Sequence, residues 1–214
     1  MSVTFRLDRA RGVLRDRRGA CFDPRKGAWS AARARPTGAG EVLDAIAAAT
    51  WLQRESGAPL RVPIGVIGPR EASAGQLAAA EAVGRGLATM GLAVVCGGRQ
   101  GVMEAVCRGA AVAGGTTIGI LPDPDPSYAN PHVGVVIATG IGEARNALIA
   151  RAARCLVAIG DSYGTLSEVA LGRQFGKRIV GLEGAARVEG VVHVPDVHAA
   201  LVEVALDVLA VDRR

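Results

Sequence analysis

Aromatic side chains are scarce in this 214-residue chain, 3% in all, while half of the sequence is hydrophobic. The core must therefore be built from Val, Ile, Leu and Ala, the composition of parallel sheets covered by helices on both faces, and an α/β fold is expected. No uncharged apolar run reaches the roughly 18 residues read as a membrane span, although the mean hydropathy is +0.27. The start of the chain carries Arg6, Arg9, Arg11, Arg15, Arg17 and Arg18 with no apolar block between them, so a signal peptide is not expected either. Cys21, Cys96, Cys107 and Cys155 show no C-x-x-C spacing and no disulfide-scaffold density, which points to packed, reduced thiols in a cytoplasmic protein. His132, His193 and His198 do not cluster with these cysteines at ligand spacing, and no protein-bound metal is expected. A G-x-S-x-G elbow is missing too, which removes the usual Ser-His-Asp hydrolase.

What is present is unevenly distributed. Residues 1–36 hold ten Lys and Arg against Asp8, Asp16 and Asp23, a net charge of +7, while the whole chain carries +5. The body is therefore slightly acidic. A basic arm can touch nucleic acid or an acidic partner, but a solvated Arg-rich hairpin accounts for it equally, and nucleic-acid binding is not expected. Length fits one large domain with a small appendage. The division expected is a basic appendage over 1–60, made of a β-hairpin or meander and a helix from Glu41 to Arg54, followed by a Rossmann-like domain over 61–214.

After Pro63 the pattern becomes regular. Apolar runs at Ile64–Ile67, Leu92–Cys96, Thr117–Leu121, Val133–Ala138, Cys155–Ile159 and Arg178–Leu182 read as parallel strands. Helical segments at Ala74–Met90, Gly101–Ala113, Glu143–Ala153, Thr165–Phe175 and Val197–Leu209 alternate with them. This is a doubly wound Rossmann-like parallel sheet with helices on both faces, whose ligands bind beyond the carboxyl ends of the strands where the strand order reverses.

The strand-to-helix loops therefore carry the candidate chemistry. The loop containing Gly68 is glycine-poor beside G-x-G-x-x-G, and the acid expected at the end of the second strand is replaced by Cys96-Gly97-Gly98, which argues against NAD. In the next loop, Gly97, Gly98 and Gly101 would let a ligand approach the backbone, with Met103 at its side; a tight turn requiring glycine is the plainer alternative. Arg145 and Asn146 stand near a helix start, where a guanidinium can meet a phosphate or carboxylate; a surface arginine is the alternative. The amides of Gly164 and Thr165, with the Thr165 hydroxyl, suit a phosphate at a helix N-terminus, and Glu168 stands one turn further on. For Glu168 the alternative is a capping box with Thr165.

Taken together, Gly97-Gly98-x-x-Gly101-Val102-Met103, Arg145-Asn146 and Gly164-Thr165-x-x-Glu168 resemble the LOG superfamily over about residues 62–182. That superfamily includes nucleoside 5′-monophosphate phosphoribohydrolases, often mislabelled lysine decarboxylases, together with molybdenum-cofactor carrier proteins and DprA/Smf-related families. Gly119-Ile120-Leu121-Pro122, Ala129-Asn130-Pro131 and Gly164-Thr165-Leu166-Ser167-Glu168 are most similar to the carrier-like branch. The hydrolase signature P-G-G-x-G-T-x-x-E keeps its Glu at Glu168 and its Arg, nineteen residues before Gly164, at Arg145. Its P-G-G, however, has become Gly160-Asp161-Ser162, which sets a carboxylate beside the expected phosphate site.

The resemblance implies a nucleotide-like phospho-ligand and, for a hydrolase, cleavage of the N-glycosidic bond to free base and ribose 5-phosphate. Glu168 would then stabilise positive charge developing on the sugar and Arg145 would position the substrate. The alternative it implies is a non-catalytic carrier or sensor of molybdenum cofactor or another pterin or nucleotide phosphate. Neither reading requires a resident cofactor. The same resemblance implies a homodimer or larger homo-oligomer.

Overall fold

The computed structural model describes residues 3–30 and 40–211. The chain divides into two compact units, residues 1–60 with 202–214, and residues 61–201.

In the first unit, β1 (Thr4–Asp8), β2 (Val13–Arg15), β3 (Cys21–Asp23), β4 (Ala28–Ser30) and β5 (Glu41–Asp44) form an antiparallel sheet in the order β4-β3-β2-β1-β5. Alternation does the work: Phe5, Leu7, Leu14, Phe22 and Leu43 are buried while their neighbours face outward. Trp29 stacks on Phe5 with centroids 5.7 Å apart and donates its Nε1–H to the Leu209 carbonyl at 2.7 Å. The helix expected from Glu41 begins instead as α1 (Ala45–Arg54). Residues 41–44 pair with β1, Leu43 opposite Phe5, and the Asp44 carboxylate accepts from the Ala47 amide at 2.8 Å, fixing the helix start one residue later.

The second unit is a seven-stranded, wholly parallel sheet with helices. Its elements run β6 (Ile64–Ile67), α2 (Ala74–Met90), β7 (Val94–Cys96), α3 (Val102–Val112), β8 (Thr117–Leu121), β9 (Val135–Ala138), α4 (Asn146–Ala152), β10 (Leu156–Ile159), α5 (Tyr163–Gln174), β11 (Ile179–Leu182) and β12 (Val191–His193), and α6 (Val197–Val208) follows. All four residues of β6, β10 and β11 are buried, as strands covered on both faces require. Ile67, Val95, Ile120, Ile149, Leu156, Val169 and Ile179 belong to one apolar cluster. Helices α2 and α3 approach so closely that a Cβ on Gly84 would collide with the Val106 carbonyl and one on Gly109 with the Glu81 carbonyl.

The strand order β12-β11-β10-β6-β7-β8-β9 places the site. The chain builds outward from β6 through β9, then returns to lay β10 on the other side of β6. The order reverses between these two strands, so the loops after β6 and β10 diverge there and open a crevice. Two details were not legible beforehand: β12 extends the sheet, and the helix expected over 143–153 splits into a 3₁₀ turn, Gly142–Arg145, and α4.

Candidate ligand-binding cleft

A cleft of about 730 Å³ occupies this switch point, lined by residues that include Gly68, Arg70, Gly97, Met103, Arg145, Asp161 and Glu168. Arg145 ends the 3₁₀ turn and reaches inward with 5% of its side chain exposed. Its Nη1 donates to Asn146 Oδ1 and lies 3.7 Å from Glu168 Oε1 and 3.8 Å from Glu143 Oε2. Its Nε is buried without a hydrogen-bond partner. A guanidinium so enclosed is costly unless its donors are used, and the unpaired one marks where a ligand acceptor would be accommodated.

Glu168 projects from the second turn of α5 with 9% of its side chain exposed. Burial pushes its carboxyl up to about 8, an effect that Arg145 offsets only in part. The upward shift favours the neutral acid, which can donate as well as accept. The capping-box alternative for Glu168 does not hold. The N-cap of α5 is Ser162, whose Oγ accepts from the Thr165 amide at 3.1 Å and lies 2.9 Å from Thr165 Oγ1.

That cap also engages one residue of the expected phosphate cradle. The amide and hydroxyl of Thr165, a residue 2% exposed, both meet Ser162, so the α5 donors left without a carbonyl of their own helix are the amides of Tyr163 and Gly164. A Cβ on Gly164 would meet nothing closer than Ser162 Oγ at 3.8 Å, and this backbone is open to a ligand. Asn146 accepts from Arg145 and donates to Ser167 Oγ at 2.8 Å, and Ser167 donates to the Gly164 carbonyl at 2.7 Å. The arginine is thereby tied to the first turn of α5.

The glycines separate into two groups. Gly68 and Gly97 line the cleft with Met103, and a Cβ on Gly97 would stand 2.7 Å from both Arg145 Nη2 and Met103 Sδ. Gly98 and Gly101, expected to face ligand, are not among the cleft's lining residues. Gly98 abuts Leu121 and Gly119, and Gly101 abuts the carbonyls of Pro69 and Arg70, both with positive φ, so packing and turn geometry account for them. Arg70 and Glu143, which pair at 3.8 Å across the cleft mouth, were missed in the sequence because neither belongs to a motif. Beneath Gly97, Cys96 and Cys107 are buried with sulfurs 3.5 Å apart. The Cys107 thiol and burial hold Cys96 well above the ordinary thiol range, in keeping with packing rather than reactivity. Among the described residues no group of three or more His, Cys, Asp or Glu could hold a metal ion, and no helix is long and apolar enough to cross a membrane.

A wholly parallel α/β unit whose switch-point cleft encloses an Arg–Glu pair defines a Rossmann-like protein. Residues 61–206 match the SLOG cluster4 family, and the chain belongs to it. It is 38% identical over 127 residues to an uncharacterized protein of Archaeoglobus fulgidus, covering 59% of this chain and 83% of that one. Among solved structures it is similar to the molybdenum cofactor binding protein of Rippkaea orientalis, with a TM-score of 0.65, 32% identity and coverage of 68% of this chain and 96% of that one. The molybdenum cofactor carrier protein of Chlamydomonas reinhardtii gives a TM-score of 0.64 and 37% identity, covering 70% and 99%.

Proposed function

We propose that this protein binds a phosphate-bearing pterin of the molybdenum-cofactor type in the switch-point cleft and holds it without turnover, as a carrier or sensor. The observation that carries this reading is the burial of Glu168, only 9% of whose side chain is exposed. A carboxyl held near 8 is mostly uncharged at neutral pH, whereas stabilising an oxocarbenium-like sugar requires a carboxylate. An anionic ligand alongside would keep the group protonated. The filled Thr165 amide and the carboxylate of Asp161, where the hydrolase motif has glycine, agree with binding by a different set of contacts. In this reading Arg145 and the Gly164 amide take the phosphate, Glu168 offers a neutral hydrogen bond, and Gly68, Gly97 and Met103 shape the wall. A cleft of about 730 Å³ is within the usual range of roughly 300–1,000 Å³ for small-ligand sites.

Hydrolysis of a nucleoside 5′-monophosphate is the second reading, favoured by the Arg145–Glu168 approach of 3.7 Å. One experiment separates them. Purified protein is incubated with a panel of nucleoside 5′-monophosphates and assayed for free base and ribose 5-phosphate beside Glu168→Gln, while binding of molybdopterin is followed by calorimetry. The carrier reading expects saturable molybdopterin binding and no release; release by the unaltered protein and not by the variant would replace it. A cytoplasmic homo-oligomer belongs to the same proposal, with Leu148 of α4 and Leu166 of α5, 44% and 37% exposed, as apolar positions an interface would cover.

A further inference from the structure

Two side chains at the cleft's rim, Asp161 and Tyr163, make none of the ligand contacts assigned to Arg145, Gly164 and Glu168. Tyr163 is one of only two tyrosines in the chain and stands at the first position of α5, 95% exposed while lining the cleft. Asp161 lines the same cleft and is exposed. Ser162 between them is fully extended, φ −166° and ψ 166°, and turns its own hydroxyl back to Thr165. Asp161 and Tyr163 flank it two residues apart, and the carboxylate and the ring line the same cleft.

Each has a chemical implication. An aromatic ring left almost wholly in water at the mouth of a cleft, in a chain that is 3% aromatic, is a face on which a flat heterocycle can stack. A carboxylate has two acceptor oxygens and no donor, so it pairs in bidentate fashion with two adjacent N–H groups and is repelled by a ring nitrogen lone pair. It also turns phosphate away from the rim, toward the wall that carries Arg145 and Gly164.

Resting on the reading of the cleft as a phospho-ligand site, we infer that Asp161 and Tyr163 form a base-reading rim selective for 2-amino-4-oxo-pyrimidine rings. Guanine and pterins share this edge, an amino group beside a ring N–H, and adenine does not. The ring stacks on Tyr163 and its two N–H groups meet the Asp161 carboxylate. The replacement of the hydrolase motif's glycine by Asp161 is then a specificity determinant.

The test is calorimetric titration of the full chain with GMP, IMP, AMP and neopterin monophosphate. GMP and neopterin monophosphate should bind at least about tenfold more tightly than IMP or AMP, the scale of one bidentate contact. Asp161→Asn, which presents one acceptor and one donor, should lose that preference and shift toward AMP. Tyr163→Ala should weaken every ligand and Tyr163→Phe should not. Equal affinity for GMP and AMP in the unaltered protein, or a guanine preference that survives Asp161→Asn, overturns the rim while leaving the phospho-ligand site standing. Failure of all four compounds to bind overturns both.

Discussion

A carboxyl as enclosed as Glu168, with a guanidinium 3.7 Å away, ties stability to pH in a direction opposite to most surface acids. Its folded value of about 8 lies above the roughly 4.3 of an unfolded glutamate. The stability this group contributes is full below the unfolded value and is lost as pH rises through the folded one. Glu168→Gln removes the titration and keeps the shape, so its unfolding free energy should gain on the unaltered protein's by about a few kcal/mol between pH 5 and pH 9, with Tm rising in step. Parallel melting curves of both proteins over that range would refute the raised carboxyl. Gly97 makes a complementary case. The cavity wall there is closed by Arg145 and Met103, so Gly97→Ala should push both aside, costing about 1–3 kcal/mol of stability and weakening ligand binding. Denaturant unfolding and calorimetry of that variant check both effects.

At the scale of elements, α5 depends on one hydroxyl. Ser162→Ala removes the acceptor for the Thr165 amide and should cost about 1 kcal/mol, a fall in Tm of roughly 2–4 °C for a domain of this size. If Tm is unchanged, the cap is not what starts the helix. This element also shows what the sequence made legible. The core strands Ile64–Ile67 and Thr117–Leu121 and the helix Ala74–Met90 were readable to the residue, because apolar runs and Gly or Ser punctuation set their ends. Residues 41–44 were not, since Val42 and Leu43 satisfy helical and strand spacing alike and only pairing with β1, more than thirty residues away, decides between them. In the site, Arg145 and Glu168 were visible through motif spacing, and the structure brings them together. The expected start of α5, Thr165, lies two residues beyond the observed one, Tyr163, because Ser162 caps the helix with Thr165 at the third position. Arg70 and Glu143 meet only through the return of the chain beside β6, a contact no local pattern records.

At the scale of the whole molecule, the chemistry and the charge are in separate places. Every lining residue of the cleft lies between Ile67 and Glu168, inside the unit 61–201, whereas the Arg-rich residues belong to the antiparallel unit. Three of those cations are ion-paired within that unit: Arg9 meets Glu41 and Glu55, Arg11 meets Asp8, and Lys26 meets Asp23. A ligand that binds only the folded state stabilises it by RT ln(1 + [L]/Kd), about 2.7 kcal/mol at a hundredfold excess over Kd, but that stabilisation reaches only amides whose opening disrupts the site. Saturating ligand should therefore slow hydrogen exchange in β6, β10 and the first turns of α5, and leave β1 to β4 unchanged. Exchange followed by mass spectrometry with and without neopterin monophosphate reads this directly. Protection spreading evenly into β1 to β4 would show that the two units open together and that the antiparallel sheet takes part in binding; protection confined to β1 to β4 would place the ligand outside the switch-point cleft altogether.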